Sequence, residues 1–308
     1  MVSSPPDSQQ ITQPARRPLV IAHRGASGLA PENTLAAFAL AAALGSDGIE
    51  LDVRLSADGW PVVIHDARVH RTTGATGRVA ALTRDSIVAL NAGTRFRRKL
   101  AIQPRIRIEA QSAANLAFNG KADQWHERVP TLTEVLDLIR QTGLRRVYVE
   151  LKTEPESHDL LLERTVSLSR QAGSRESITL LSFDHEVIRR AKQIAPEFRT
   201  AATFPVGRPS LAAARLIVEK AKAAGADEAA LHFSLASKVV VQSLHEAGLA
   251  ISVWTVNNRL LMRRLVERGV DSIMTNFPNR LIDTLNRPVR RSRFLGHGAR
   301  GQADVRSR

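Results

Sequence analysis

Short apolar runs alternate along most of the chain with alanine- and leucine-rich stretches whose apolar positions recur at helical spacing. This alternation is typical of repeated β–α units that build a parallel sheet. The predicted strands are Leu19–Ala22, Gly48–Val53, Arg146–Leu151, Ser177–Ser182, Phe198–Thr203, Asp227–Phe233, Ala250–Thr255 and Asp271–Thr275. The predicted helices include Thr34–Leu44, Leu132–Gln141, His158–Gln171, His185–Ile194, Leu211–Ala224, Ser237–Glu246 and Asn258–Glu267. Eight such units predict an α/β fold, the (β/α)8 TIM barrel, with a doubly wound open sheet as the alternative.

One apolar run, Pro61–His65, breaks the alternation because it follows the second strand too closely for a crossover to a parallel neighbour. It therefore has to fold back as an antiparallel strand. Asp58 and Gly59 lie between the two runs, and an Asp-Gly pair is a strong signal for a two-residue hairpin turn. With this pair at the centre of the turn, His65 is predicted to lie opposite Asp52.

The chain between this hairpin and the third strand of the predicted barrel is much longer than an ordinary loop. We therefore expect residues 66–128 to form an insertion over the barrel mouth. The catalytic barrel, including this insertion, is predicted to cover residues 19–286. Residues 1–18 are expected to form a flexible arm, and residues 287–308 a basic, disordered tail.

The net charge of +14 is concentrated in two segments. Residues 287–308 hold seven arginines and one aspartate, while Arg95–Arg107 holds six basic residues and no acid. The rest of the chain is close to neutral. This distribution favours weak local contact with phosphate or anionic membrane head groups over a nucleic-acid groove, and a solvated arm is the simpler alternative for the tail. No sequence feature predicts an oligomeric state.

No stretch approaches the roughly 18 consecutive apolar residues of a membrane span, and residues 1–18 lack the apolar core of a secretory signal. A cytoplasmic location is therefore expected. The chain contains no cysteine, which excludes disulfides, thiolate zinc sites and cysteine nucleophiles.

Charged residues cluster at the predicted carboxyl ends of neighbouring strands, where the active sites of TIM barrels lie. Glu50 and Asp52 end the second strand, and Glu150 and Lys152 end the third. Because side chains alternate along a strand, each pair shares the face that points into the barrel. Three carboxylates at one mouth would repel each other without a cation. Ligation by oxygen alone favours Mg²⁺ or Ca²⁺ over zinc.

Two histidines reach the same predicted rim from different segments, His23 after the first strand and His65 after the hairpin. Such a pair suits a general acid and a general base, and the sequence does not show which is which. Arg24 and Lys152 bring positive charge to the same rim. They would hold a phosphate and stabilise its developing charge, or serve as counter-ions of the carboxylates.

Seven short motifs occur together in one order along the chain. They are His23-Arg24-Gly25, Pro31-Glu32-Asn33-Thr34, Glu50-Leu51-Asp52, His65-Asp66, Arg71-Thr72-Thr73-Gly74, Val129-Pro130-Thr131-Leu132 and Glu150-Leu151-Lys152. In content, order and spacing they resemble the glycerophosphodiester phosphodiesterase family. The resemblance is strong over residues 19–93 and 129–152, looser as far as Pro278, and absent beyond residue 286.

The resemblance implies a metal-dependent (β/α)8 hydrolase that splits a small-molecule glycerophosphodiester into glycerol 3-phosphate and an alcohol. By this resemblance one divalent cation is held by Glu50, Asp52 and Glu150. His23 and His65 would exchange protons, Arg24 and Lys152 would bind the phosphate, and Trp254 would pack against the glycerol. Asn276 stands where the family usually has aspartate, and we expect it to lie outside the metal and histidine set.

We expect the reaction to begin with attack by the substrate's own neighbouring hydroxyl, through a cyclic phosphate, because proximity favours intramolecular attack. Direct attack by water is the alternative. A second enzyme hypothesis keeps the site and changes the substrate, giving a lysophospholipase D-type phosphodiesterase that acts on lysophospholipids. A non-enzyme hypothesis is an inactive barrel with an arginine-rich tail that binds nucleic acid.

Overall fold

The barrel is closed in the computed structural model, which describes residues 17–96, 125–154, 157–173 and 176–286. The strands are β1 (Leu19–His23), β2 (Gly48–Leu55), β3 (Pro61–Val63), β4 (Arg146–Leu151), β5 (Ile178–Ser182), β6 (Arg199–Phe204), β7 (Glu228–His232), β8 (Ala250–Trp254) and β9 (Ser272–Thr275). Around the barrel the parallel strands follow the order β1, β2, β4, β5, β6, β7, β8, β9, and β9 pairs with β1 again. The predicted (β/α)8 TIM barrel is confirmed, and the open sheet is wrong.

Helices follow the barrel strands, and most of them begin at a polar residue whose side chain caps the first turn. Thr131 shows this most fully, because its hydroxyl accepts from the Glu134 amide while the Glu134 carboxylate accepts from the Thr131 amide. The helices are α1 (Leu35–Ala43), α2 (His70–Thr73), α3 (Arg84–Val88), α4 (Leu132–Thr142), α5 (His158–Gln171), α6 (His185–Ile194), α7 (Leu211–Ala223), α8 (Lys238–Glu246), α9 (Arg259–Arg268) and α10 (Pro278–Asn286). The predicted helices are all present, within one or two residues of their expected ends.

Aliphatic side chains fill the layer between the barrel and its helices in two large clusters, one beside the first half of the chain and one beside the second. A smaller cluster fills the barrel interior and includes Ile21, Leu181, Ala201 and Met274. The interior is thus packed rather than open, so a substrate reaches only the carboxyl-end mouth.

The β2–β3 hairpin differs by one residue from the predicted register. Val53 pairs with Val63, and the Ile64 amide donates to the carbonyl of Asp52. Ile64 rather than His65 therefore lies opposite Asp52, and the prediction for His65 was wrong. A shift of one residue moves a side chain to the other face of a strand, so His65 reaches the mouth only because β3 ends before it, at Val63.

The register differs because the turn holds three residues instead of two. The amide of Gly59 donates to the carbonyl of Ser56, and the amide of Ser56 donates to the carbonyl of Trp60. Gly59 has a φ of 76° and occupies the left-handed bulge position that follows a type I turn. An Asp-Gly pair fits the last two positions of this turn as well as the centre of a tighter one.

The described part of the predicted insertion packs on a small core that it shares with the hairpin. That core consists of Val62, Ile64, Val69, Val79, Ile87, Ala92 and Val129. Two short helices, α2 and α3, and a 3-10 turn at Val79–Ala81 lie in this region. The insertion therefore contributes ordered structure beside the mouth, in the residues that the model describes.

Several predictions concern residues beyond the described ranges. The basic segment is described only at Arg95 and Phe96, and the predicted tail and residues 1–16 lie outside the described ranges. Arg17, at the end of the predicted arm, makes two hydrogen bonds to the Asp47 carboxylate, at 2.9 and 3.0 Å. Among the described helices, none has the length and apolar character needed to cross a membrane.

Candidate active site

Three buried carboxylates converge at the carboxyl-end mouth. Asp52 on β2 is in register with Glu150 on β4, and Glu50 lies on the same face of β2 as Asp52. One oxygen from each carboxylate lies within 4.8 Å of the others. The structure therefore brings the three predicted metal ligands together.

These carboxylates are incompletely satisfied by the described protein groups. Glu50 Oε1 and Asp52 Oδ1 are buried and accept no hydrogen bond, although Lys152 Nζ lies 3.2 Å from Asp52 Oδ1. Leaving a buried anionic oxygen without a donor is costly, and a cation removes that cost. An all-oxygen donor set is the kind that Mg²⁺ and Ca²⁺ prefer, so the residues fit a hard divalent cation.

The electrostatics of the three carboxylates follow from burial and crowding. Burial, with repulsion from Asp52 and Glu150, raises the pKa of Glu50 well above its ordinary value. Burial and the Asp52 charge raise the pKa of Glu150 to about 7. Burial opposes ionisation of Asp52 too, but Arg24 and Lys152 outweigh it and hold the pKa of Asp52 below its ordinary value. Negative charge is therefore concentrated on Asp52.

Arg24 and Lys152 lie against the carboxylates from opposite sides. The backbone amide of Arg24 donates to Glu50 Oε2 at 2.9 Å, and the side-chain Nε of Arg24 lies 3.1 Å from Asp52 Oδ2. Lys152 Nζ donates to Glu150 Oε1 at 2.5 Å. Both predicted phosphate-binding residues are thus counter-ions of the ligand set, which is compatible with holding a phosphate at the same place.

The loop after β1 adopts a strained backbone that places its polar groups. Arg24 and Asn33 have left-handed φ values of 54° and 56°, which residues other than glycine rarely adopt. Asn33 Nδ2 donates to Asp52 Oδ2 at 2.8 Å, and the Asp52 amide donates to Asn33 Oδ1 at 3.3 Å. Between them Gly25, at φ 75°, is required because a Cβ there would lie 2.6 Å from the Ala37 backbone.

His23 is held at the end of β1 by a residue from the last strand. Its Nδ1 lies 2.7 Å from Asn276 Oδ1, and its Nε2 lies 3.8 Å from Glu50 Oε2. Because the amide oxygen can only accept, Nδ1 carries the proton in the neutral ring and Nε2 is free to accept one. Burial lowers the pKa of His23 to about 4. Asn276, expected outside the metal and histidine set, is thus a direct hydrogen-bond partner of His23.

His65 is held by a carboxylate instead. Its Nδ1 lies 2.6 Å from Asp66 Oδ1. Burial lowers the pKa of His65, against an opposing contribution from Asp52 and Asp66. Arg54 Nε also donates to the His65 carbonyl at 2.8 Å, which fixes the backbone at this point.

A chain of ion pairs connects this histidine to the other side of the mouth. Arg71, from the insertion helix α2, donates through Nε to Asp66 and through both terminal nitrogens to Glu32. Glu32 in turn accepts from Arg24 at 3.0 Å. The short insertion helix is therefore coupled to His65 and to Arg24 at once.

The two histidine side chains line one cavity of about 110 Å³ at the mouth. Lys152 and Glu150 lie on one side of it, and Trp254 lies on the other. The Trp254 indole Nε1 donates to the Ala230 carbonyl at 3.1 Å, and its ring contacts Phe183 edge to face. All eight predicted site residues are thus brought to the mouth, although Asp52 is too deep to line the cavity itself.

Four further residues that hold this site together were given no role from the sequence: Glu32, Asn33, Asp66 and Arg71. Each stands in or beside one of the motifs quoted above, so a signal was present. Their roles depend on contacts between distant segments, which spacing along the chain does not reveal.

The chain matches known proteins over most of its length. The family model of the glycerophosphoryl diester phosphodiesterase family matches residues 23–280. A glycerophosphodiester phosphodiesterase from Caldanaerobacter subterraneus is 34% identical over 273 residues, which is 87% of this chain and 98% of that protein. A glycerophosphodiester phosphodiesterase from Bacillus subtilis is 30% identical over 274 residues, 85% of each chain.

Two solved phosphodiesterase structures have a fold similar to that of this chain. An Oleispira antarctica phosphodiesterase in complex with the product sn-glycerol-3-phosphate has a TM-score of 0.71 and 27% identity, over 88% of this chain and 98% of that one. A glycerophosphodiester phosphodiesterase from Agrobacterium tumefaciens has a TM-score of 0.66 and 28% identity, over 86% of this chain and 99% of that one.

Proposed function

This chain belongs to the glycerophosphoryl diester phosphodiesterase family, and from that membership we propose that it hydrolyses glycerophosphodiesters with His23 and His65 as its acid–base pair. The observation that carries the proposal is that three buried carboxylates, the basic side chains of Arg24 and Lys152, and both histidines meet at one mouth. The products would be glycerol 3-phosphate and an alcohol.

Glu50, Asp52 and Glu150 would hold one divalent cation, Mg²⁺ or Ca²⁺. When bound, the cation supplies positive charge that polarises the phosphoryl oxygens. Arg24 and Lys152, already beside the ligand carboxylates, would bind the non-bridging oxygens of the phosphate and stabilise charge that develops there. Trp254, across the cavity, would pack against the glycerol.

The hydrogen-bond partners of the two rings support different roles. Asn276 is neutral and holds His23 with Nε2 free, which suits a group that accepts a proton. Asp66 is a carboxylate and stabilises a protonated His65 ring, which suits a group that donates one. We therefore assign His23 as the base and His65 as the acid.

In the first step His23 takes the proton from the substrate's free hydroxyl next to the phosphate ester, and that oxygen bonds to phosphorus. The bond from phosphorus to the alcohol breaks, and His65 gives the departing oxygen its proton. A water molecule, deprotonated by His65, then attacks phosphorus; the bond from phosphorus to the cyclised glycerol oxygen breaks, His23 returns its proton to that oxygen, and glycerol 3-phosphate is left. Intramolecular attack is favoured because aligned groups reach effective molarities of about 10⁵ M or more.

The test of the reaction is turnover of a panel of glycerophosphodiesters with Mg²⁺, with Ca²⁺ and with chelator. We expect metal-dependent release of glycerol 3-phosphate and a transient cyclic phosphate in the phosphorus NMR spectrum. A substrate that lacks the neighbouring hydroxyl should not react. Its hydrolysis at the normal rate would contradict the cyclic route and support direct attack by water.

The test of the histidine roles uses leaving groups of different acidity. His23→Ala and His65→Ala should each lower turnover by roughly 10² to 10⁴. A nitrophenyl ester needs little protonation, so it should restore much of the rate of His65→Ala and little of the rate of His23→Ala. The opposite pattern would exchange the two roles, and wild-type rates in either variant would refute the pair.

A second candidate, hydrolysis of lysophospholipids, is favoured by apolar side chains exposed beside the mouth. Phe183, Val206 and Phe233 follow β5, β6 and β7 and are 43%, 72% and 37% exposed. These side chains would contact an acyl chain. The panel should therefore include a lysophospholipid, and turnover faster than that of the deacylated diester would favour this second candidate.

A further inference from the structure

A second concave surface adjoins the catalytic cavity and is much larger than it. This groove has a volume of about 650 Å³, compared with about 110 Å³ for the cavity that the histidines line. It lies between the β2–β3 hairpin and helix α5, and Lys152 lines both spaces. A substrate whose phosphate contacts Lys152 therefore has the groove directly beside it.

The position of the groove relates it to one end of the substrate. In the barrel order β4, which precedes Lys152, and β8, which ends in Trp254, are four strands apart and so face each other. The glycerol is proposed to contact Trp254, so the other arm of the diester points over the β2–β4 rim. His65, the proposed acid for the departing oxygen, lies on this same rim, where Arg54 of the groove donates to its carbonyl.

The charges of the groove show what kind of group it would accept. Its two acids already have partners: Glu154 pairs with Arg78 at 3.1 Å, and Asp58 accepts from the Ser56 hydroxyl and from the Arg84 amide. Arg164 of α5 has no carboxylate partner among the described residues, and its guanidinium lies 5.9 Å from the Trp60 ring centroid. Three basic side chains (Arg54, Lys152 and Arg164) and two acidic ones (Asp58 and Glu154) give the described lining one net positive charge.

We propose that this groove binds the departing alcohol and selects a neutral or anionic polyol over a quaternary ammonium alcohol such as choline. Arg164 offers hydrogen-bond donors to hydroxyl groups, and the Glu154 carboxylate and the Ser157 hydroxyl oxygen, whose hydrogen donates to the Glu154 carbonyl, offer acceptors. A cationic head group would be repelled chiefly by Arg164, because Lys152 and Arg54 already face carboxylates. The inference rests on the proposed function, because the departing alcohol exists only if the chain cleaves the diester.

The experiment compares kcat/KM for glycerophosphoinositol and glycerophosphocholine in the wild type, Arg164→Glu and Arg215→Glu. Arg215 is an exposed arginine of α7, away from the groove, so its variant is a control with the same change of charge. We expect the wild type to prefer glycerophosphoinositol. Reversing the charge of Arg164 should shift the ratio about tenfold or more towards glycerophosphocholine, and less at high salt.

The outcomes separate the two proposals. A wild type that cleaves both substrates but prefers glycerophosphocholine overturns the selectivity. A ratio in Arg164→Glu equal to that in Arg215→Glu overturns the location in this groove. An Arg164→Gln variant should give a smaller shift in the same direction, which distinguishes a charge effect from damage to α5. No metal-dependent turnover of either substrate would refute the proposed function itself, and the inference with it.

Discussion

The interior of the barrel buries carboxylates at both ends, but their hydrogen-bond partners differ between the two ends. At the amino-terminal end Glu228, the first residue of β7, accepts from the Tyr148 hydroxyl at 2.9 and 3.2 Å. At the carboxyl-end mouth Glu50 Oε1 and Asp52 Oδ1 accept no hydrogen bond in the described structure. Both ends belong to the same closed sheet and are equally hidden from solvent.

Burial alone does not separate the two kinds of acid, because it raises the pKa of Glu228 and of Glu50 alike. The difference lies in the partners. Glu228 accepts from the Tyr148 hydroxyl and lies 4.0 Å from the Arg199 guanidinium, whereas the acids at the mouth repel one another and bring their oxygens within 4.8 Å. A buried acid whose oxygens are satisfied stabilises the fold, whereas oxygens without a donor, such as Glu50 Oε1 and Asp52 Oδ1, fit a bound cation.

The largest effect should come from removing one acid at each end. Glu150→Gln should lower activity by roughly 10³-fold or more, because a bound cation contributes several kcal/mol to the transition state. Glu228→Gln should retain wild-type activity. The matched measurement is thermal melting without and with metal, in which added metal should raise the melting temperature of the wild type and of Glu228→Gln, but not that of Glu150→Gln.

The same melting experiment tests whether the acids at the mouth repel each other. Without metal, Glu150→Gln should be as stable as the wild type or slightly more stable, since one charge of the crowded set is gone. A large loss of metal-free stability would show that the mouth acids stabilise the fold as Glu228 does, and the contrast between the two ends would disappear.

A smaller effect is expected from removing the donor at the amino-terminal end. Tyr148→Phe leaves Glu228 without its phenol partner, which should cost about 1–3 kcal/mol of the free energy of unfolding. Activity of the folded fraction should not change. Urea denaturation monitored by circular dichroism measures the first quantity. An unchanged midpoint would mean that Glu228 is satisfied in another way.

Metal affinity should decrease at low pH because a carboxyl group at the mouth becomes protonated. The pKa of Glu150 is raised to about 7, and a protonated carboxyl does not bind the cation. Affinity should therefore fall as pH falls through 7, by about tenfold per pH unit for each proton displaced. Calorimetric titration at pH 6 and pH 8, in two buffers of different ionisation enthalpy, would measure both the affinity and the protons released. A pH-independent affinity would contradict the raised pKa.

The smallest effect concerns the amide beside His23. Asn276→Asp would place a carboxylate at Nδ1 and raise the pKa of His23 from its value of about 4. Because the proposed base must be neutral, the acidic limb of the rate profile should move to higher pH, by about one unit. The pH dependence of kcat measures the shift. An unmoved limb would show that another group limits the rate at low pH.

Much of the fold could be predicted because local sequence patterns indicate each of its elements. Each β–α unit shows its apolar run and its helical spacing, and the carboxyl ends of Gly48–Leu55 and Arg146–Leu151 carry the polar residues of the site. Alternation along a strand then places Glu50, Asp52 and Glu150 on one face. These inferences need no knowledge of which strands are neighbours beyond the order of the chain.

The errors arose where structure depends on a single residue or on distant segments. Gly59 fits two hairpin turns, and only the backbone of the folded chain shows which one forms. Asp66 and Glu32 are joined through Arg71 of the insertion, and that link depends on how α2 packs. Asn276 contacts His23 because β9 pairs with β1. The presence of asparagine where the family usually has aspartate does not by itself predict this contact.

His23 and Asn276 are 253 residues apart in the sequence, so His23 is synthesised long before its partner. The three acids are all made by residue 150, so a nascent chain carries the complete ligand set long before it is finished. The histidine at the start of the barrel receives its partner only when the last strand leaves the ribosome and closes the sheet. Ring closure thus acts as a final assembly step, and an incomplete chain would hold the ligand acids without an oriented base.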